Sequence, residues 1–126
     1  MAKLYESGEN YIETILILKN KGQDVRSIDI AREMNLSKPS VSRAMGILRD
    51  GGFIEIDIDG YITLTADGFE VAERIYERHR VLTDCLIYLG VSEKTAAEDA
   101  CKLEHDISAE SFEKLKEHIR NKQMNI

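Results

Sequence analysis

This sequence predicts a mainly α-helical protein that opens with a winged helix-turn-helix and continues as a helical domain. Three observations predict it. Three short helical patterns succeed one another before residue 50; two β-rich runs then flank Asp59-Gly60; and from Ala72 onward apolar residues recur at spacings of three and four. Helix, helix, helix, hairpin is the order of a winged helix. No flexible linker separates the hairpin from the long helical pattern, so the expected division is at Thr65, with domains 1–65 and 66–126.

Each element has its own signals. Tyr11, Ile12, Ile15 and Leu16 give the first helix its apolar side, with Ser7 as the expected cap and Lys19 to Gly22 as the stop. A short second helix is expected over residues 26–33, with Ile28, Ala31 and Met34 on its apolar side and Asn35-Leu36 as the turn. Ser37 caps the third helix, and Pro39 falls in its first turn, where a missing N–H is harmless. Val41, Met45 and Leu48 define the buried stripe, and Asp50-Gly51-Gly52 ends it. Residues 53–58 and 61–65 are strands joined by a two-residue turn at Asp59-Gly60. Thr65 caps a long helix running to about Leu89, stopped by Gly90, with the seam Ala72, Ile75, His79, Leu82, Leu86 and Leu89. Ser92 caps a further helix read through Cys101, Glu104 and His105. Ser108 caps the last one, whose apolar positions are Phe112, Leu115 and Ile119.

Composition narrows the function. With 126 residues, 43% of them hydrophobic, the core is modest, and oligomerisation is a common remedy at this size. No apolar run approaches the ~20 residues needed to span a bilayer, and the first residues lack a secretory signal's apolar stretch. Cys85 and Cys101 form no secreted disulfide pattern and are expected as thiols in a cytoplasmic protein.

The net charge of −6 is unusual for a nucleic-acid binder, but its distribution matters more than its sum. Residues 34–49 hold Lys38, Arg43 and Arg49 and no acid, whereas residues 51–70 hold five acids and no Lys or Arg. Opposite the stripe of the third helix stand Pro39, Arg43 and Gly46, flanked by Lys38, Ser40, Ser42 and Arg49. Arg on such a face pairs with guanine in the major groove, while Ser hydroxyls and backbone N–H groups, Ser37 included, hold phosphates. Arg26 is placed to reach the flanking backbone. The acidic hairpin tip, Asp57 to Gly60, is poorly suited to gripping phosphate. A solvated helix in a protein-binding winged helix is the plainer alternative.

Cys101, Glu104 and His105 stand three and four residues apart, so a helix would place thiol, carboxylate and imidazole on one side. Such a set binds divalent transition metals, and the thiolate favours softer or borderline ions over Mg²⁺ or Ca²⁺. Taken singly, each residue has an ordinary reading: Cys101 as a small hydrophobe, Glu104-His105 as surface, and His79 as a hydrogen-bonded core residue. His118 and Cys85 read as helix surface and core.

A resemblance joins these features. The segments Glu9-Asn10-Tyr11-Ile12-Glu13-Thr14-Ile15, Asp29-Ile30-Ala31, Ser37-Lys38-Pro39-Ser40-Val41-Ser42, Leu64-Thr65-Ala66-Asp67-Gly68, Arg78-His79-Arg80 and Cys101-Lys102-Leu103-Glu104-His105 cover most of residues 7–120. Together they resemble the diphtheria-toxin-repressor family of metal-dependent regulators, including its manganese-transport-regulator branch. The resemblance implies a homodimer whose helical second domain builds the dimer interface and the metal site, and a palindromic double-stranded DNA operator. It implies the ligands Asn10, Glu13, His79, Cys101, Glu104 and His105. Cys101 matches iron-type members, where manganese-type members have Glu; Glu13 matches the manganese type. Asn10 replaces the Met or Asp of the two patterns and offers only a neutral oxygen. Thr83 and Ala97 stand where the iron-type ancillary site has ligands, and the SH3-like domain of longer members has no counterpart here.

The expected function is a transcriptional repressor activated by Fe²⁺ or Mn²⁺, with Zn²⁺, Co²⁺ and Ni²⁺ also binding in vitro. The rival is a winged-helix regulator that senses an oxidant or an organic ligand. A metalloenzyme would need a nucleophile, a phosphate loop or an acid–base pair beyond the cluster, and the sequence offers none.

Overall fold

The computed structural model describes residues 6–124; the first five residues and the last two lie outside. Its elements are α1 (Glu6–Asn20), α2 (Ser27–Met34), α3 (Lys38–Asp50), β1 (Ile54–Ile56), β2 (Ile62–Leu64), α4 (Ala66–Tyr88), α5 (Glu93–Leu103) and α6 (Ala109–Met124). They fall into two compact units, Met1–Glu73 and Arg74–Ile126. The division lies within α4, past the expected boundary at Thr65, because the first turns of α4 pack on the hairpin.

In the first unit, Ile12, Ile15, Val25, Ile30, Val41, Met45, Ile54 and Ile62 are almost wholly buried, so α1, α2, α3 and the hairpin share one core. Ser7 lies inside α1 rather than at its cap, since Glu6 is already helical. Arg26 is extended and caps α2, and its amide donates to Asp29 Oδ2 at 2.9 Å. The buried side of α2 is Ile30 and Ala31, whereas Ile28 is 39% exposed. Ala31 is thus buried as expected and Met34 half-buried, while Ile30 takes the inward place expected of Ile28. Asn35 takes the left-handed conformation (φ 56°) that Asn tolerates, which lets the Leu36 amide donate to the Ala31 carbonyl at 2.9 Å and turns the chain toward α3. Ser37 caps α3 as expected, accepting the Ser40 amide at 3.3 Å.

The hairpin differs from the expected two-residue turn. Ile54 pairs with Leu64 and Ile56 with Ile62, so the loop is longer. The Asp57 amide donates to the Tyr61 carbonyl, and Asp57 Oδ1 accepts the amides of Asp59 and Tyr61, both at 2.9 Å. One carboxylate thereby satisfies two amides at the tip, and a three-residue loop becomes the stable closure. A further pairing was not legible beforehand: the Ile62 amide donates to Val25 at 2.7 Å, adding a bridge beside the hairpin.

Thr65 caps α4, accepting the Gly68 amide at 3.1 Å, and its hydroxyl donates to the Gly52 carbonyl at 2.7 Å. At its other end Gly90 (φ 103°) allows the amides of Gly90 and Val91 to reach back to Ile87 and Leu86. Leu89 lies beyond the helix and is 75% exposed; Cys85, not Leu89, continues the buried seam. The second unit's core is Ile75, Leu82, Cys85, Ala96, Ala100, Phe112 and Ile119. Leu115 is 38% exposed, at the rim of that core rather than in it.

Gly68 is where α4 touches the hairpin most closely. A Cβ there would stand 2.0 Å from the Phe53 carbonyl oxygen, a backbone atom that cannot swing aside. Glycine to alanine inside a helix ordinarily stabilises by about 0.5–1 kcal/mol. Here the clash decides the sign. Gly68→Ala is expected to destabilise the protein by about 1–3 kcal/mol, read as a lower urea midpoint. An unchanged or higher midpoint would show that the hairpin and α4 can part at no cost.

Candidate metal centre and nucleic-acid interface

Three consecutive residues of α4 each grip a different part of the second unit. Glu77 pairs with Lys116 of α6. Arg78 Nη1 donates to the carbonyls of Glu104 at 3.1 Å and Ile107 at 2.9 Å. His79 Nδ1 lies 2.9 Å from Glu104 Oε2. The sequence singled out His79 alone of the three; an Arg beside an imidazole in an apolar seam was the available signal for its neighbour.

The helix read through His105 ends earlier, at Leu103. Glu104 is its C-cap, and the chain then turns, with the amides of Asp106 and Ile107 donating to the Leu103 carbonyl. Ala96, Ala100 and Glu104 follow at four-residue steps, and all three have no exposed surface. The two alanines carry no bulk, so this face of α5 packs closely and delivers Glu104 into the interior.

His79, Cys101 and Glu104 each bring a ligand-type atom to within 4.8 Å of the others, with Cys101 exposed, His79 partly exposed and Glu104 buried. His105 comes to the other oxygen: its Nε2 is 3.5 Å from Glu104 Oε1, and its side chain is nearly buried. Among the described residues Glu104 Oε1 accepts no hydrogen bond. A fully buried carboxylate with an unused oxygen, set among imidazole and thiol, is a donor set that a divalent transition metal fits. Asn10 is half-buried and Glu13 buried on α1, in the other unit. Thr83, at the expected vacant ancillary position, donates its hydroxyl to the His79 carbonyl at 2.6 Å.

In the first unit, Lys38, Pro39, Ser42 and Arg43 are exposed on α3, and Ser40 is half-buried. Ser37 and Ser40 are joined hydroxyl to hydroxyl at 2.8 Å as part of the cap. Arg26, exposed at the head of α2, stacks on Tyr61 with 4.2 Å between guanidinium and ring centroid, and Tyr61 was absent from the expected interface. Arg26, Ser27, Ile28, Lys38, Ser42 and Gly60 line one cleft of about 250 Å³. Two cations, two hydroxyls and two helix N-termini on one surface form a place for an anion of phosphate size.

This pairing defines a class, a winged-helix DNA-binding protein with a metal-binding helical domain. Residues 3–60 match the description "Iron dependent repressor, N-terminal DNA binding domain", and residues 65–125 match "Iron dependent repressor, metal binding and dimerisation domain". The chain belongs to the iron-dependent repressor family. It is 35% identical over 113 residues to the HTH-type transcriptional regulator MJ0568 of Methanocaldococcus jannaschii, covering 88% of this chain and 90% of that one. It is 32% identical over 105 residues to the transcriptional regulator MntR of Escherichia coli O6:H1, covering 83% and 68%. The structure of the manganese regulator SloR superposes with a TM-score of 0.80 at 26% identity over 90% of this chain, which spans about half (53%) of that protein. Among the described residues no helix is long and apolar enough to cross a membrane.

The two cysteines differ in character. Cys101 is exposed and Cys85 buried, and neither is in a disulfide. Burial pushes the Cys85 thiol above its ordinary range, and the Asp84 carboxylate adds to the effect. The fold thus favours the protonated thiol, a contribution present at neutral pH and lost as pH rises through the raised value. Iodoacetamide at pH 8 is expected to label Cys101 first in the folded apo protein, and Cys85 only after unfolding or at higher pH. Peptide mapping that finds Cys85 labelled first would reverse this assignment.

Proposed function

We propose that this chain is a homodimeric, metal-dependent transcriptional repressor that binds a palindromic operator in the cytoplasm when loaded with Fe²⁺ or Mn²⁺, and that it is not an enzyme. The buried Glu104 carboxylate, facing His79 and Cys101 with one oxygen that accepts no hydrogen bond among the described residues, carries this reading. His79, Cys101, Glu104 and His105 would hold the ion, which would supply positive charge to the buried carboxylate and a bond to the thiolate. Asn10 and Glu13 join the ligand set on the family resemblance. Arg43 reads bases; Arg26, Lys38, Ser37, Pro39, Ser40 and Ser42 seat the chain on the backbone. The family description names iron and the SloR structure manganese. Cys101 supports Fe²⁺ over Mn²⁺, because a thiolate favours the softer ion.

The test is capture of fragmented genomic DNA by the apo protein, held anaerobically with chelator, Fe²⁺ or Mn²⁺. A palindromic sequence should be enriched only with metal, and Cys101→Ala should lose more of the Fe²⁺ response than of the Mn²⁺ response. Retention that ignores metal but responds to peroxide would replace this reading with the oxidant sensor.

Ligation by Asn10 and Glu13 has its own measurement. Metal should slow amide exchange in α1 by about tenfold or more, since a residue tied to an ion opens less often. Exchange in α1 that is the same with and without metal would remove both residues from the ligand set.

A further inference from the structure

We propose that Arg78 is the positioning residue of the metal centre, fixing Glu104 by clamping the backbone of the turn that carries it; this rests on the reading of His79, Cys101 and Glu104 as ligands. The last carbonyls of a helix lack partners within it. At the end of α5, Arg78 Nη1 supplies the partner for two carbonyls of the 104–107 turn, those of Glu104 and Ile107. The guanidinium lies over the Phe112 ring of α6, 5.5 Å from its centroid, which limits its swing. Its Nε is buried without an acceptor among the described residues, a desolvation penalty with no local return. An Arg kept for packing alone could be replaced by Met without that penalty.

The consequence follows from adjacency on α4. Arg78 holds the main chain of Glu104 while the next residue, His79, meets its side chain at 2.9 Å. One short stretch of helix therefore sets both the position of the turn and the ligand atom opposite. Glu104 sits at a helix terminus, where the backbone frays most readily. Without the clamp its carboxylate would sample several positions relative to His79 and Cys101, and a metal site loosened in this way loses affinity while keeping every ligand.

The experiment is anaerobic Co²⁺ titration of the full chain, following the thiolate-to-metal absorption band, with thermal melts of each apo protein. Wild type, R78K and R78M are compared with Ile119→Ala, a core truncation that leaves Arg78 and the ligands untouched. R78M is expected to bind Co²⁺ about 10–100-fold more weakly with an altered band, as for other supporting residues of metal sites. R78K, able to reach one carbonyl, should fall between R78M and wild type, and Ile119→Ala should keep wild-type affinity despite its lower melting temperature. Wild-type affinity and band shape in R78M would overturn the role of Arg78 alone. If R78M does not fold, R78K decides, intermediate affinity supporting the role and wild-type affinity overturning it. A wild type with no absorption dependent on Cys101 would overturn the metal centre and the role of Arg78 together.

Discussion

An ionised carboxylate taken out of water loses several kcal/mol of solvation unless its surroundings return it. Glu104 has no exposed surface, and much of the second unit is organised around that fact. His79 faces one oxygen, His105 stands near the other, and Arg78 holds the backbone beneath. Each requirement reaches back to the sequence. Ala96 and Ala100 must be small for Glu104 to be buried, and α5 must stop at Leu103 so that Glu104 leads into a turn. The segment Glu77-Arg78-His79 must lie on α4 at that level.

The first unit solves a different problem, presenting cations from a chain that is acidic overall. Its answer is local. The helix-turn-helix puts the N-termini of α2 and α3 on one cleft with Arg26 and Lys38, and Tyr61 of the hairpin supports Arg26 from below. The wing's acidic tip spends its Asp57 carboxylate on its own amides, so part of that negative charge is occupied in closing the loop. The hairpin thus contributes through Tyr61 and Gly60 rather than through charge.

The elements that were legible beforehand are those governed by local chemistry. Ser37, Thr65, Ser92 and Ser108 cap the helices they were expected to cap, because an N-cap hydroxyl answers to amides two and three residues away. The stripe Val41, Met45, Leu48 is buried because thirteen residues of helix average out single exceptions. The burial of Ile30 rather than Ile28, the longer hairpin loop and the Val25 bridge depended on partners distant in sequence or on one side chain's hydrogen bonds. The metal cluster was half legible. Of the six expected ligands, His79, Cys101 and Glu104 come together, whereas spacing alone would have put Cys101, Glu104 and His105 on one side of a continuous helix. α5 instead ends at Leu103, and the ligand-type atoms that come within 4.8 Å of one another are those of His79, Cys101 and Glu104, with His105 Nε2 at 3.5 Å from Glu104 Oε1.

Charge alone would be a weak means of coupling metal to DNA in such a chain. A divalent ion adds two charges, but a thiol that ligates gives up its proton, so each site filled through Cys101 changes the net charge by about one. Against a formal net charge of −6, one unit leaves the molecule acidic and the Lys38, Arg43 and Arg49 face unchanged. Exposed charges farther apart than about 8–10 Å are in any case largely screened at physiological salt. An ion's effect on backbone freedom is not weakened by screening in this way. That places the weight on residues that hold a ligand's main chain still, and in the second unit Arg78 is the side chain bonded to the carbonyls of the turn that carries Glu104.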